Sequence, residues 1–91
     1  MLKVQTSNQF ERDFKRMIKR GKDIQKIKAV MQKLTNEEML DIKYRDHILK
    51  GSFKYHRECH IEPDWLLVYN INKNDKTIIF ERTGSHSELF R

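Results

Sequence analysis

The sequence is poor in the residues that brace small secreted proteins and in those that interrupt regular structure. One cysteine, Cys59, stands among 91 residues, so no internal disulfide can form and a reducing compartment is favoured. One proline and three glycines leave no low-complexity linker, so a single domain over residues 1–91 is expected. No apolar run approaches the roughly 20 residues that a membrane-crossing helix needs. The opening Met1-Leu2-Lys3-Val4 lacks the long apolar stretch and cleavage site of a secretory signal, and cytoplasm is the expected location. A chain of this size buries a modest core, so a partner that adds stability would be no surprise.

Charge is what the chain has in plenty. Charged residues make up 35% and hydrophobic ones 37%, too patterned for disorder. The net charge of +6 is uneven: residues 1–34 hold ten Lys/Arg against three acids, and residues 35–91 hold nine against ten. A basic half suits an anionic partner, whether RNA, DNA or an acidic protein segment; a solvated helical face is the plain alternative.

Periodicity assigns the elements. Leu2 and Val4 alternate with Lys3 and Gln5, a short strand. Thr6 with Gln9 suits a capping box, followed by a helix with Phe10, Phe14, Met17 and Ile18 on one face. Gly21 suits a helix end, and Asp23 a cap for a second helix facing inward through Ile24, Ile27, Val30 (or Met31) and Leu34. Residues 35–51 read as loop with a helical turn. Strands are then expected over residues 53–61, 65–71 and 76–82, with turns at Pro63-Asp64 and 72–75. Trp65 to Tyr69 is apolar on both faces and should be central. The order β-α-α-β-β-β defines an α+β fold: a small, mainly antiparallel sheet with a helical hairpin on one face.

All four histidines, His47, His56, His60 and His86, lie in the second half. Imidazoles are the best acids and bases near neutral pH. His56, Glu58 and His60 alternate onto one strand face, which suits an acid–base floor, a set of metal ligands or a solvated face. Same-face neighbours on a strand are on the order of 7 Å apart, wide for ligands of one metal ion. Arg57 is out of keeping with the opposite, apolar face and belongs near a rim. Arg82 leaves an apolar strand, and Gly84 allows a turn that returns His86 to the sheet. A guanidinium beside an imidazole suits phosphoryl chemistry; a surface ion pair of Arg82 with Glu81 or Glu58 is the plainer reading. Trp65 and Phe90 are each either core anchors or platforms for a stacked base.

Three ordered blocks carry a resemblance over residues 44–90. They are Asp46-His47 to Gly51, Arg57-Glu58-Cys59-His60 through Pro63-Asp64-Trp65 to Tyr69, and Glu81-Arg82-Thr83-Gly84-Ser85-His86 to Phe90. Together they resemble the histidine-rich YafQ branch of the RelE toxins of type II toxin–antitoxin systems. Glu58 stands where some members have Asp, and Arg91 extends past the terminal Phe of several. The resemblance implies a translation-inhibiting toxin that cleaves messenger RNA in the ribosomal A site. Its implied partners are mRNA, ribosomal RNA and a cognate antitoxin, with operator DNA reached only through the antitoxin complex and no membrane. It implies catalytic roles for His47, His60, Asp64, Arg82 and His86, and substrate binding by Trp65 and Phe90. No metal or other cofactor is expected, because 2′-OH attack needs only a base, an acid and a cation. A non-catalytic nucleic-acid-binding or antitoxin-binding module is the alternative expectation.

Overall fold

Five consecutive side chains, Trp65 to Tyr69, are essentially inaccessible to solvent. Only a strand covered on both faces allows this, and the rest of the fold is arranged around it. The computed structural model describes residues 1–51 and 55–90. The chain runs β1 (Lys3–Thr6), α1 (Asn8–Lys19), α2 (Ile24–Thr35), a 3-10 turn (Ile42–Tyr44), β2 (His47–Ile48), β3 (Arg57–Glu62), β4 (Trp65–Asn72), β5 (Thr77–Gly84) and α3 (His86–Leu89).

The strands form one sheet in the order β1-β5-β4-β3-β2. Its β2–β3, β3–β4 and β4–β5 pairs are antiparallel, while β1 lies parallel to β5 with Val4 opposite Ile78. The mainly antiparallel sheet and its central strand agree with the sequence expectation. The chain between this parallel pair, the helical hairpin followed by β2 to β4, supplies the crossover that such a pair requires.

Helices and sheet meet on one face. Phe10, Met17, Ile27, Val30 and Leu34 pack there against Cys59, Ile61, Trp65, Leu67, Tyr69, Ile78 and Phe80. On the other face a smaller cluster of Leu66, Val68 and Leu89 is flanked by Leu49 and Phe90. Gly21 ends the first helix region at φ +76°, and Asp23 accepts from the Gln25 N–H at 3.0 Å, both as the spacing suggested.

Several expectations shift. The cap of α1 is Ser7, because Thr6 is still paired in β1; Ser7 Oγ accepts from the Phe10 N–H at 2.9 Å and donates to the Glu81 carbonyl at 2.7 Å. Ile18 is half exposed, and Asp13 takes the inward position between Phe10 and Met17. The third strand begins at Arg57; Phe53, where the sequence pattern started it, lies outside the described residues. His56 therefore precedes the strand and does not share its alternation. The two-residue β2 and the single-turn α3 were not foreseen, since elements so short have no period to read. Arg57 does sit at a rim, 3.2 Å from Asp46. No helix among the described residues is long and apolar enough to cross a membrane.

Replacing Ser7 with Ala removes the cap and leaves a strand carbonyl without its donor, so a loss of about 1–2 kcal/mol is expected. Chemical denaturation of the two proteins, compared at equal slope, measures it.

Candidate active site

The strand register decides which side chains meet. His47 is opposite Glu58, Glu58 opposite Val68, and Val68 opposite Arg82. These four form one cross-strand row on the face away from the helical hairpin. The adjacent row holds His60, Leu66 and Gly84. Residues directly opposite share a face, so a carboxylate and two imidazoles converge beside the small apolar cluster.

Glu58 is the centre of that group, with only 3% of its surface exposed. Its Oε2 is 3.7 Å from His47 Nε2, and its Oε1 is 3.4 Å from His60 Nε2. Neither is a well-formed hydrogen bond, and among the described residues the buried Glu58 Oε1 has no hydrogen-bond partner. The other ring nitrogens are committed: His47 Nδ1 donates to the Arg45 carbonyl at 2.7 Å and His60 Nδ1 to the Pro63 carbonyl at 3.2 Å. A carbonyl only accepts, so both Nδ1 atoms carry hydrogen. Nε2 is then the ring nitrogen of each that is left to gain or lose a proton, and both face the buried carboxylate.

His86 completes the cluster from α3. Its ring centroid is 5.8 Å from that of His60, and His60 is 6.4 Å from His47. Asp64, in the β3–β4 turn, accepts from the His86 backbone N–H at 3.0 Å and lies 3.5 Å from its Nδ1. Phe90, half-buried, stands 6.0 Å beyond His86. The turn carrying His86 is held firmly. Ser85 and Glu88 form a reciprocal capping box, and Glu88 is paired with Arg16 at 2.7 Å and with Arg20. A Cβ on Gly84 (φ +155°) would stand 3.0 Å from Glu88 Oε1, so the sharp exit from β5 needs glycine. The guanidinium of Arg20 foremost, with Ser85 and Arg16, holds the Glu88 carboxyl well below the usual carboxylate range.

His47, His60, Asp64, His86 and Phe90 are therefore brought together, and Glu58 joins them. His56 is not part of the group; its Nε2 lies 3.4 Å from Glu81. Trp65 corrects the expectation of a substrate platform. It is 1% exposed, faces the hairpin side, and donates from Nε1 to Thr83 Oγ1 at 2.9 Å, so no base can reach its ring. Arg82 shares the row of Glu58 but pairs with neither Glu81 nor Glu58. Its Nε donates to Asp13 Oδ2 at 2.7 Å. Burial pushes the Cys59 thiol far up its range, which leaves it neutral and unreactive.

An open groove of about 710 Å3 runs past His60. Lys26, Lys43, Tyr44, Arg45 and Pro63 also line it. Its acids are engaged: Glu62 by Lys22 at 3.0 Å and Lys26 at 2.9 Å, and Asp23 by the α2 cap. Lys43 and Arg45 are exposed and have no carboxylate partner among the described residues.

Sequence reasoning missed Asp13 and undervalued Glu58. The signal for Asp13 was an acid three residues after Phe10 and four before Met17, on the apolar stripe of α1. Glu58 stood out only as one of three alternating polar residues.

Fold and site together define a small basic α+β protein of the RelE toxin type, with an acid–base cluster on the face of its sheet away from the hairpin. The family model described as "Bacterial toxin of type II toxin-antitoxin system, YafQ" matches residues 2–91, and the chain belongs to this family. The mRNA interferase toxin YafQ of Escherichia coli K12 is 44% identical over 88 residues, covering 96% of this chain and 94% of that one. A metal-bound toxin from Helicobacter pylori is 48% identical with a TM-score of 0.93, over 99% of this chain and 100% of that one. YafQ in the E. coli DinJ–YafQ complex is 42% identical with a TM-score of 0.90, over the full length of both.

The depressed Glu88 carboxyl has a consequence for stability. Its folded value lies below the unfolded one near 4.3, so its contribution is complete above that pH and is lost as pH falls towards the folded value. Melting curves between pH 3 and 6 should fall more steeply for the wild type than for Glu88→Gln.

Proposed function

We propose that this chain is a messenger-RNA endoribonuclease that needs no metal ion, acts in the ribosomal A site and is silenced by an antitoxin. The observation that carries this reading is the set of imidazoles, His47, His60 and His86, grouped around the buried Glu58 and beside Asp64. The E. coli relative named an mRNA interferase and the complex of such a toxin with DinJ support the substrate and the kind of partner.

In the reaction the ribose 2′-oxygen attacks the adjacent phosphorus and the bond to the 5′-oxygen breaks. His60 or His47, as neutral imidazole with hydrogen on Nδ1, takes the 2′-OH proton at Nε2, and the Glu58 carboxylate beside it balances the positive charge that forms on the ring. His86, oriented by Asp64, gives a proton to the leaving 5′-oxygen. Arg82 steadies the charge on the phosphate in the transition state. The products are a 2′,3′-cyclic phosphate and a 5′-OH, so proton and bond counts balance. Acid–base help of this kind contributes about 10²–10⁴-fold. Phe90 flanks the substrate base. The groove lined by Lys43, Tyr44 and Arg45 carries the neighbouring nucleotides, and the basic helices meet ribosomal RNA.

The H. pylori relative is metal-bound. In this chain no three His, Cys, Asp or Glu side chains among the described residues are grouped as ligands of one metal ion.

The test is cleavage of a translated messenger on purified ribosomes, with the RNA ends mapped. Cuts bearing cyclic or 3′-phosphate ends are expected, about 10²-fold or more slower in His86→Ala, and cleavage of free RNA, checked separately because ribosomes themselves need magnesium, should be unchanged by EDTA. The pair Lys43→Ala, Arg45→Ala should raise KM with kcat nearly unchanged. A folded wild type that binds antitoxin yet makes no cuts leaves a binding module, and inhibition by EDTA of cleavage of free RNA would overturn metal independence.

A further inference from the structure

We infer that Asp13, a residue remote in sequence from the acid–base cluster, is the positioning residue for Arg82 and sets the direction in which that guanidinium meets a phosphate. This rests on Arg82 acting as the phosphate clamp.

Asp13 is 0% exposed, although it sits mid-helix among Phe10 and Met17. A buried carboxylate carries a desolvation cost, and a buried ion pair taken as a whole adds little net stability over apolar packing. The cost is met by convergence of donors. Asp13 Oδ1 accepts from Gln9 Nε2 at 2.9 Å and from Arg16 Nη2 at 3.1 Å. Asp13 Oδ2 accepts from Arg82 Nε at 2.7 Å and from the Thr83 backbone N–H at 3.2 Å. Arg82 Nη2 adds a contact to Oδ1 at 3.3 Å.

The geometry of a guanidinium gives this arrangement its meaning. The group is planar, so a carboxylate held along its Nε–Nη2 edge fixes the plane and the bearing of the remaining edge. Arg82 Nη1 has no partner among the described residues, so that edge is left for a ligand. The same carboxylate also grips the N–H of Thr83, pinning the backbone next to Arg82. Fixing both side chain and backbone removes the rotamer freedom that a free arginine would lose on binding phosphate.

Pairing does not cancel the positive field. Asp13 and Glu88 together face three guanidiniums, Arg16, Arg20 and Arg82, which leaves one positive charge in excess. Arg16 bridges the two acids, so one network on α1 ties Arg82 to the turn that bears His86.

The experiment is single-turnover cleavage on ribosomes by the full chain with Asp13→Asn, Arg82→Ala and the double variant, each with and without added guanidinium ion. Circular dichroism and antitoxin binding establish folding for each variant. Asp13→Asn is expected to slow cleavage by about 10–10²-fold, the scale of a misplaced catalytic group. The double variant should be no slower than Arg82→Ala alone. Guanidinium should restore Arg82→Ala in part and fail to restore the double variant, because the seat for the ion is gone. Should Asp13→Asn not fold, Arg82→Lys serves: a lysine cannot fill both edges, and near-normal cleavage by that variant overturns the inference. Wild-type rates in Asp13→Asn, or further loss on adding it to Arg82→Ala, overturn it while leaving the clamp standing. A wild-type rate in Arg82→Ala removes the clamp and the inference with it.

Discussion

The structure depends on how the outer edge of β5 is finished. β1 pairs with β5 only as far as Phe80, opposite Thr6. Beyond that point the strand would present unpaired backbone groups to solvent or to another chain. Helix α1 covers them instead: Ser7 Oγ serves the Glu81 carbonyl and Asp13 the Thr83 N–H. A carboxylate buried for this purpose requires cations, and Arg16 and Arg82 supply them. Arg16 in turn reaches Glu88 and orders α3. Edge protection and placement of the arginine and of His86 are thus one construction, spanning about 70 residues of sequence separation.

The other half of the site follows from the sheet itself. Because facing residues alternate, β3 sends Cys59 and Ile61 into the main core and Glu58 and His60 to the opposite face. Among the described residues, the one helix packed on that face is the single-turn α3, through Leu89. Leu66 and Val68 are shielded by Leu49, Leu89 and Phe90, and the polar groups gather at the margin of this patch. The result is a buried carboxylate facing two imidazoles, while His47 and His86 remain exposed. A reader of the chain sees three polar residues in alternation and cannot tell a solvated face from this one.

The errors of sequence reading share a cause. Thr6 and Ser7 both have capping chemistry, and the choice between them was made by the ladder to β5, which claims Thr6. Ile18 is as apolar as its stripe-mates, yet Asp13 is turned inward because Arg82 and Thr83 wait there. Trp65 satisfies either a core or a binding-surface reading until Thr83 Oγ1 is seen to receive its indole N–H. In each case the deciding partner lies far along the chain, where no local period reports it.

By itself the sequence determined the elements with a clear period: two helices, the second with its cap, the fully apolar central strand, its antiparallel neighbours and the basic charge of the hairpin. These rest on side-chain spacing and turn chemistry, which act between residues near one another in the chain. The motif blocks also named His47, His60, Asp64, Trp65, Arg82, His86 and Phe90 as a set, of which the fold brings His47, His60, Asp64, His86 and Phe90 together. Only the tertiary structure decided that Glu58 lies between two imidazoles, that Trp65 belongs to the core and that Asp13 holds Arg82. Those outcomes depend on cross-strand register and on which buried charge finds which partner, interactions that exist only once distant segments are packed together.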